Sequence, residues 1–352
     1  MIRGKPLNII LTAAGCPGWG DIAGALRNNG EREIKLIAVD MLKDTYGYHL
    51  AEYYCRVPAG TDPDYIDAMK AVAVEFNADA IVPLADPELP PLAKHKEEFE
   101  EMGVVIPLAN YSVIESVRNK IELYNLLNKK SSTIPDYRII DRLSDLAKSA
   151  RELGYPEKEL CFKPGLAHGS RGFRILSERR SNADTIFSEK DENTDKILTL
   201  SDAVKLFGKV KEFPPLLMTP VFPGEEYSVD LLIRDGVVLS AVCRLRERVV
   251  FGLTGIGKVV NNPKIFEKAK EIARLTGLEF NANIQFKMSD EIEPGLLEIN
   301  PRTSGTIALC VAAGVNLPYL GLKLALGEKV DPVDPTIGVR SYRYWTQVFT
   351  YE

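Results

Sequence analysis

A chain of 352 residues, 45% hydrophobic and 26% charged, is too long for one simple core and suits two or three packed subdomains of a soluble protein. Its formal net charge of -5 argues against a polyanionic partner such as nucleic acid, while leaving room for a local basic pocket. Five scattered cysteines without a C-x-x-C pair, and three histidines, argue against a disulfide framework or structural zinc and point to reduced thiols in the cytoplasm.

The apolar run 7–12 is too short to span a bilayer and leads into the Gly-rich turn AAGCPGWGD, so it is expected to be a strand, not a signal or membrane segment. A helix is expected over 22–29, and further buried runs lie at 34–39, 80–84 and 104–108. Short apolar runs alternating with helix-length segments indicate a parallel sheet with crossover helices. Residues 112–128 have helical periodicity; a strand at 137–140 and a helix at 141–153 follow. ELCFKPGLAHGSRGFRIL predicts strand, Gly-containing loop, strand, and the polar stretch 177–195 a mobile loop or insert. Strands are expected at 216–221, 227–233 and 237–245, the last two joined by Arg-Asp-Gly. A helix at 263–276, strands at 282–288 and 296–300, and a helical stretch from 307 complete the pattern. The change of style places the main boundary near residue 110.

Three segments have the residue types for phosphate and metal chemistry. Lys163 ends a strand, and Gly165, Gly169 and Gly172 follow in the loop. Glycines let a backbone approach a polyphosphate, and a nearby lysine supplies a point charge; an ordinary Gly-rich hairpin is the other reading. The run 216–221 could offer backbone groups to an adenine edge, and Glu226 could accept ribose hydroxyls, or be a surface acid on a turn. Glu298 and Asn300 are two positions apart, so on a strand they share a face. Gln285 lies on the preceding strand. Oxygen donors on neighbouring strands suit magnesium, Arg302 could meet a transferred phosphoryl group, and polar groups in so apolar a strand need partners.

Together these elements resemble the ATP-grasp superfamily. The order runs from Asn119-Lys120 on a helix, through Lys163-Pro164 and the Gly-rich loop, then Pro-Gly-x-Glu-Tyr-Ser-Val-Asp, to Glu-Ile-Asn-Pro-Arg at 298–302. Asn283, Gln285, Phe286, Glu298, Asn300, Pro301 and Arg302 resemble the carbamoyl-phosphate-synthase large-subunit type in particular. The resemblance implies an α/β fold, α+β in its C-terminal part. It has an open parallel-sheet, Rossmann-like pre-ATP-grasp domain (1–110) and a two-lobed ATP-grasp domain (111–352), with a lid lobe at about 135–222 and a catalytic lobe at about 223–345. It implies ATP with Mg2+ (or Mn2+): Lys120 and Lys163 on the phosphates, with Gly169 and Ser170 in the loop that closes over them. Thr219, Pro220 and Val221 would line the adenine, Glu226 the ribose, and Gln285, Glu298 and Asn300 the metal. Arg302 and Lys163 would be the catalytic residues. The expected activity is ligation of a small carboxylate to an amine or similar nucleophile through an acyl-phosphate; a homodimer is a family-level expectation. His168 and the long insert after Leu176 depart from the family pattern. With one such unit and no glutaminase segment, synthesis of carbamoyl phosphate is not expected.

Two other readings compete. Gly18-x-Gly20-x-x-x-Gly24 with Asp40 approaches a dinucleotide fingerprint and would serve an NAD(P)-dependent oxidoreductase; a catalytically silent nucleotide-binding protein is the second. Trp19 and Asp21 are alternatively expected at an acceptor site. Arg244, Arg246 and Arg248 alternate along one strand and read equally as a solvated basic face or an anion pocket. His49 and His95 lack companions and receive no role.

Overall fold

The N-terminal apolar runs are strands because they are buried on both sides. β1 (Leu7–Leu11), β2 (Ile34–Asp40), β3 (Tyr53–Arg56) and β4 (Ala80–Val82) form a parallel sheet in the order β3-β2-β1-β4. Ile9, Leu11, Leu36 and Ala38 enter one core, while Ile10, Ile37 and Val39 enter the other. Alternate residues thus meet different cores, and the sequence shows no hydrophobic alternation. α1 (Trp19–Arg27) covers the first face; α2 (Tyr65–Glu75) and α3 (Leu89–Lys94) cover the second. β3 has no apolar run because it is a largely exposed edge strand. The run 104–108, expected as a strand, makes one isolated bridge, Val105 to Ala80; Pro107, which has no N–H to donate, stands just beyond it.

The computed structural model describes residues 4–130, 132, 134–166, 172–178, 196–250, 252–289 and 293–351. The chain groups into two compact units: Met1–Arg118, Glu225–Phe286 and Leu297–Glu352 in the first, Asn119–Gly224 and Lys287–Leu296 in the second. After α4 (Lys96–Glu101), the single helix expected over 112–128 is two helices, α5 (Tyr111–Arg118) and α6 (Lys120–Lys129). Asn119 is the reason. Its backbone is extended, and its side-chain oxygen accepts from Ile121 N at 3.0 Å, capping a new helix instead of continuing the old one.

In the second unit β5 (Arg138–Ile140), α7 (Leu146–Glu152), β6 (Leu160–Pro164), β7 (Arg174–Leu176), β8 (Ile197–Leu198), α8 (Leu200–Phe207) and β9 (Leu216–Pro220) follow in turn. The sheet order is β5-β9-β6-β7-β8, and Leu146, Phe162, Leu176 and Met218 pack in its core. The insert expected after Leu176 lies, beyond Glu178, outside the described residues up to Lys196.

The first unit resumes with β10 (Glu226–Arg234), β11 (Val237–Val250), β12 (Leu253–Val259), α9 (Pro263–Thr276), β13 (Phe280–Met288), β14 (Pro294–Asn300), α10 (Ala308–Ala312), α11 (Leu317–Ala325) and β15 (Arg340–Tyr342). Its sheet runs β14-β13-β10-β11-β12-β15. Asp235 and Gly236, both at positive φ, make the tight β10–β11 turn. α9 has the bounds its sequence signals give, from the Asn262 cap and Pro263 to a left-handed Gly277. Leu309 and Leu322 join Leu11 and Trp19 in one core, and Asn316 Nδ2 donates to Ala25 O at 2.7 Å.

The N-terminal glycines serve this packing. A Cβ on Gly18 would stand 2.4 Å from the carbonyl oxygen of Gly305, whereas one on Gly24 would meet nothing within 4 Å. Gly18→Ala should therefore cost about 1–3 kcal/mol through overpacking. Gly24→Ala, inside α1, should be neutral or stabilise by up to ~1 kcal/mol. Urea midpoints at unchanged m-value measure both.

Candidate active site

Apart from its exposed last residue, Arg234, β10 is apolar except at Glu226, Ser228 and Asp230, alternate positions that share a face. The β10–β11 register sets Ser228 opposite Arg244, and continuing it sets Glu226 opposite Arg246. Arg244 has no exposed surface. Its Nε donates to Asp230 Oδ2 at 2.6 Å, Nη1 to Thr306 O and Oγ1 at 3.0 and 2.6 Å, and Nη2 to Ser228 Oγ and Ser304 Oγ at 3.2 and 3.3 Å. From β13, Asn283 Nδ2 donates to Ser228 Oγ at 2.8 Å and Asp230 Oδ1 at 3.0 Å. Burial pulls the Arg244 pKa down, and the charge and hydrogen bond of Asp230, together with Cys310 and Cys243, leave it above the ordinary value.

Arg246 is paired with Glu226, and it also donates to Gln285 Oε1 at 3.1 Å, Thr254 Oγ1 at 3.1 Å and Gly252 O at 2.7 Å. Burial, and the neighbouring Arg244 charge, lower its pKa despite Glu226. Arg248 is exposed. Of the two readings open from the sequence, a solvated face holds only for Arg248: a register shift between Arg246 and Arg248 leaves two arginines inside and one outside.

Across the sheet edge, Gln285 and the Glu298–Asn300 pair occupy the adjacent strands β13 and β14. Asn300 Nδ2 donates to Glu298 Oε1 at 3.3 Å, so the two side chains do share a face. Among the described residues no three His, Cys, Asp or Glu side chains gather as a metal set. The candidate donors are one carboxylate and two amides. Glu298 and Asn300 fit a hard cation that keeps few protein oxygens and takes the rest from phosphate and water. Gln285 Oε1 is engaged by Arg246, whose positive charge opposes a cation there.

Arg302 follows β14. Its Nε donates to Asp86 Oδ1 at 2.9 Å, Nη2 to Asp86 Oδ2 and Asn300 Oδ1 at 3.5 Å each, and Nη1 to Thr303 O at 3.1 Å. Burial lowers its pKa, and Asp86 reverses the direction, so the guanidinium stays charged. Asp86 and Glu88 lie just past the C-terminal end of β4, beside the turn after β1. Thr12 Oγ1 donates to the buried Glu88 carboxylate and accepts from Leu84 N at 3.0 Å. Burial pushes the Glu88 pKa up to about 7, against the hydrogen bond from Thr12.

The dinucleotide residues are occupied by structure. Asp40 Oδ2 accepts from Gly15 N at 2.8 Å and Oδ1 from Leu42 N at 2.9 Å. Trp19, expected at an acceptor site, is wholly buried, with Nε1 donating to Leu11 O at 3.3 Å; Asp21 lines a cavity with Arg343.

In the second unit, Lys163 is on β6 and Lys120 is the first residue of α6. Gly165 couples them: its carbonyl accepts from Lys120 N at 2.8 Å, and a Cβ there would meet Asn119 Oδ1 at 2.7 Å. Thr219 and Pro220 pair with Cys161 and Leu160 in the ladder, and Val221 N donates to Glu159 O at 2.9 Å. Gly169, Ser170 and His168 lie outside the described residues.

Two family models match the chain: "PylC-like, N-terminal domain" over residues 9–107 and "ATP-grasp in the biosynthetic pathway with Ter operon" over residues 212–348. Residues 212–348 thus carry an ATP-grasp segment, and the likeness is to ATP-grasp ligases. A carbamoyl-phosphate synthase of Methanobrevibacter smithii is 27% identical to this chain over 317 residues, 88% of this chain and 78% of that protein. The fold matches the N5-carboxyaminoimidazole synthetase of Staphylococcus aureus solved with ADP, with TM-score 0.68, 14% identity and coverage of 96% of this chain and 81% of that one. It also matches the biotin carboxylase domain dimer of Hydrogenobacter thermophilus 2-oxoglutarate carboxylase, solved with MgADP, ADP and bicarbonate. There the TM-score is 0.65 at 18% identity, covering 96% of this chain and 73% of that one.

Sequence reasoning missed Asp230, Asp86, Thr254, Ser304 and Thr306. The i, i+2 spacing of Glu226, Ser228 and Asp230 in an apolar strand was the available signal; nothing local marks Asp86, whose partner is far along the chain.

Two tests follow. Asp230→Leu strands the Arg244 charge in the core and should cost about 3–5 kcal/mol in chemical denaturation. Glu88, raised from its ordinary 4.5 to about 7, binds its proton more tightly in the folded state. Its stabilisation is full below pH about 4.5 and is lost as pH rises through about 7, a span of about 3 kcal/mol. Glu88→Gln should flatten that stretch of the stability profile.

Proposed function

We propose that this ATP-grasp ligase activates a small carboxylate as an acyl-phosphate at the expense of MgATP and passes the acyl group to an amine-type nucleophile. The observation that carries the reading is the Glu298–Asn300 pair on one strand face, hydrogen-bonded to each other, with a charged Arg302 held two residues on by Asp86.

Glu298 and Asn300 would hold magnesium, which would neutralise phosphate charge and orient the transferred group. Lys163 and Lys120, whose backbones Gly165 ties together, would balance the charge of the ATP phosphates. Arg302 would steady the acyl-phosphate. Its Nε and Nη2 face Asp86, and among the described residues one Nη1 N–H has no acceptor. Such chemistry requires positioning and electrostatics, with no protein nucleophile. Thr219, Pro220 and Val221 would flank the adenine. The Val221 N–H is already bonded within the sheet, so the base would read carbonyls or later residues. Glu226 would meet the ribose while paired to Arg246, a partner that fixes its carboxylate. Gln285 would join the metal only by giving up Arg246, and serves as readily to orient that arginine. Residues 1–110 would act as the pre-ATP-grasp domain, followed by the lid and catalytic lobes.

No helix among the described residues is long and apolar enough to cross a membrane; a cytoplasmic site of action and a homodimer belong to this proposal. An NAD(P) site is disfavoured by the occupied Asp40 and by Gly18, whose missing Cβ accommodates Gly305.

Lys163→Ala and Glu298→Ala should each lower ADP formation at least ~100-fold with unfolding temperature preserved; near-normal turnover in either would remove that residue from the site. MgATP at 100 times its Kd should stabilise the wild type by about 2.7 kcal/mol, and NADPH should not; the reverse pattern would favour the oxidoreductase.

A further inference from the structure

A cavity of about 180 Å³ opens within the first unit, walled by Asp21, Leu309, Tyr342, Arg343 and Tyr344 and floored by Arg244. It is large enough for a small organic molecule, since ~150 Å³ cavities take up benzene. Arg244 has its N–H groups committed to Asp230, Ser228, Ser304 and Thr306, so the charges available to a ligand are at the mouth. There Arg343 Nη2 donates to Asp21 Oδ2 at 3.3 Å and to Gly305 O at 3.2 Å, and Nη1 to Pro17 O at 3.5 Å. These are long for bonds from a guanidinium, whose charge-assisted contacts normally close to about 2.7–2.9 Å. The pair is half-open: the two side chains are 27% and 39% exposed. Burial raises the Asp21 pKa, opposed by Arg343.

We infer that this cavity binds a free α-amino acid with an apolar or aromatic side chain. Its carboxylate would replace Asp21 on Arg343, and its ammonium would replace Arg343 on Asp21. Only a ligand with both charges can divide that ion pair without leaving one half unpaired in a partly desolvated site. An anion alone would strand Asp21, and a cation alone would strand Arg343. Tyr344, Tyr342 and Leu309 supply the apolar contact for a side chain. The cavity also adjoins the candidate active site. Thr254, on its wall, accepts from Arg246 Nε at 3.1 Å, and the same guanidinium holds Glu226 and Gln285. The inference rests on the ligase reading only in making the amino acid one of the two substrates; binding itself needs no turnover.

The test is calorimetric titration of the full chain with a panel of L-amino acids. Each ligand that binds is then retested as its carboxamide, which lacks the carboxylate, and as its des-amino acid. At least one apolar or aromatic amino acid should bind, and loss of either charged group should weaken it at least tenfold. Arg343→Gln should erase the preference for acid over carboxamide, and Asp21→Asn the preference for amine over des-amino acid, both with wild-type affinity for MgATP. Should either variant unfold, the analogue series on the wild type still decides. Absence of binding across the panel at millimolar amino acid, equal binding of the three analogue classes, or unchanged preference in both variants overturns the inference. Amino-acid binding without ADP formation from any carboxylate pool would instead sink the ligase reading and leave the pocket standing.

Discussion

The arrangement of the first unit turns on one buried cation, Arg244. A guanidinium with no solvent exposure is tolerated only if a counter-charge and a full set of acceptors surround it. Asp230 supplies the charge from the neighbouring strand, Ser228 and Asn283 bridge to it, and Ser304 and Thr306 reach it from the segment after β14. Meeting those demands fixes the mutual position of β10, β11, β13 and the turn that carries Arg302. The polar network orders the sheet on which the candidate site stands, and its members need not touch a substrate to matter.

Much of this was legible before the fold was known. The strands and the helix at 263–276 follow from apolar runs and caps, and Glu298 with Asn300 was placed on one face by strand period alone. What escaped has physical causes. β3 is exposed and carries no apolar signature. Asn119 divides a stretch whose hydrophobic periodicity is helical throughout, because a capping side chain outcompetes propensity locally. Arg244 and Arg246 could be read equally as surface charges or as an anion pocket because their partners, Asp230 and Glu226, are opposite them on another strand, and pairing across strands is invisible in a linear pattern.

The N-terminal glycine turn teaches a related lesson. Its spacing approaches a dinucleotide fingerprint, yet Gly18 is required by the backbone of Gly305, and Asp40 is spent on two amides of its own turn. A glycine marks a close approach without saying what approaches. Here the approaching group is the protein's own chain, and the family models agree with an N-terminal domain of the PylC-like kind joined to an ATP-grasp segment.

The register shift in β11 has a consequence for how this strand can change. Three arginines at alternate positions would ordinarily share one face, and a third charge would have to be housed beside Arg244 and Arg246. The shift between Arg246 and Arg248 lets one strand serve as interior wiring at one end and as solvent-facing surface at the other. Glu247 is the residue the shift adds, since Arg246 faces Gly257 and Arg248 faces Ile256; deleting it would regularise the ladder and still leave Arg248 turned outward. Pulling the bulge straight with all three arginines kept would instead bring Arg248 to the inner face, so the irregularity itself is what this stretch must preserve.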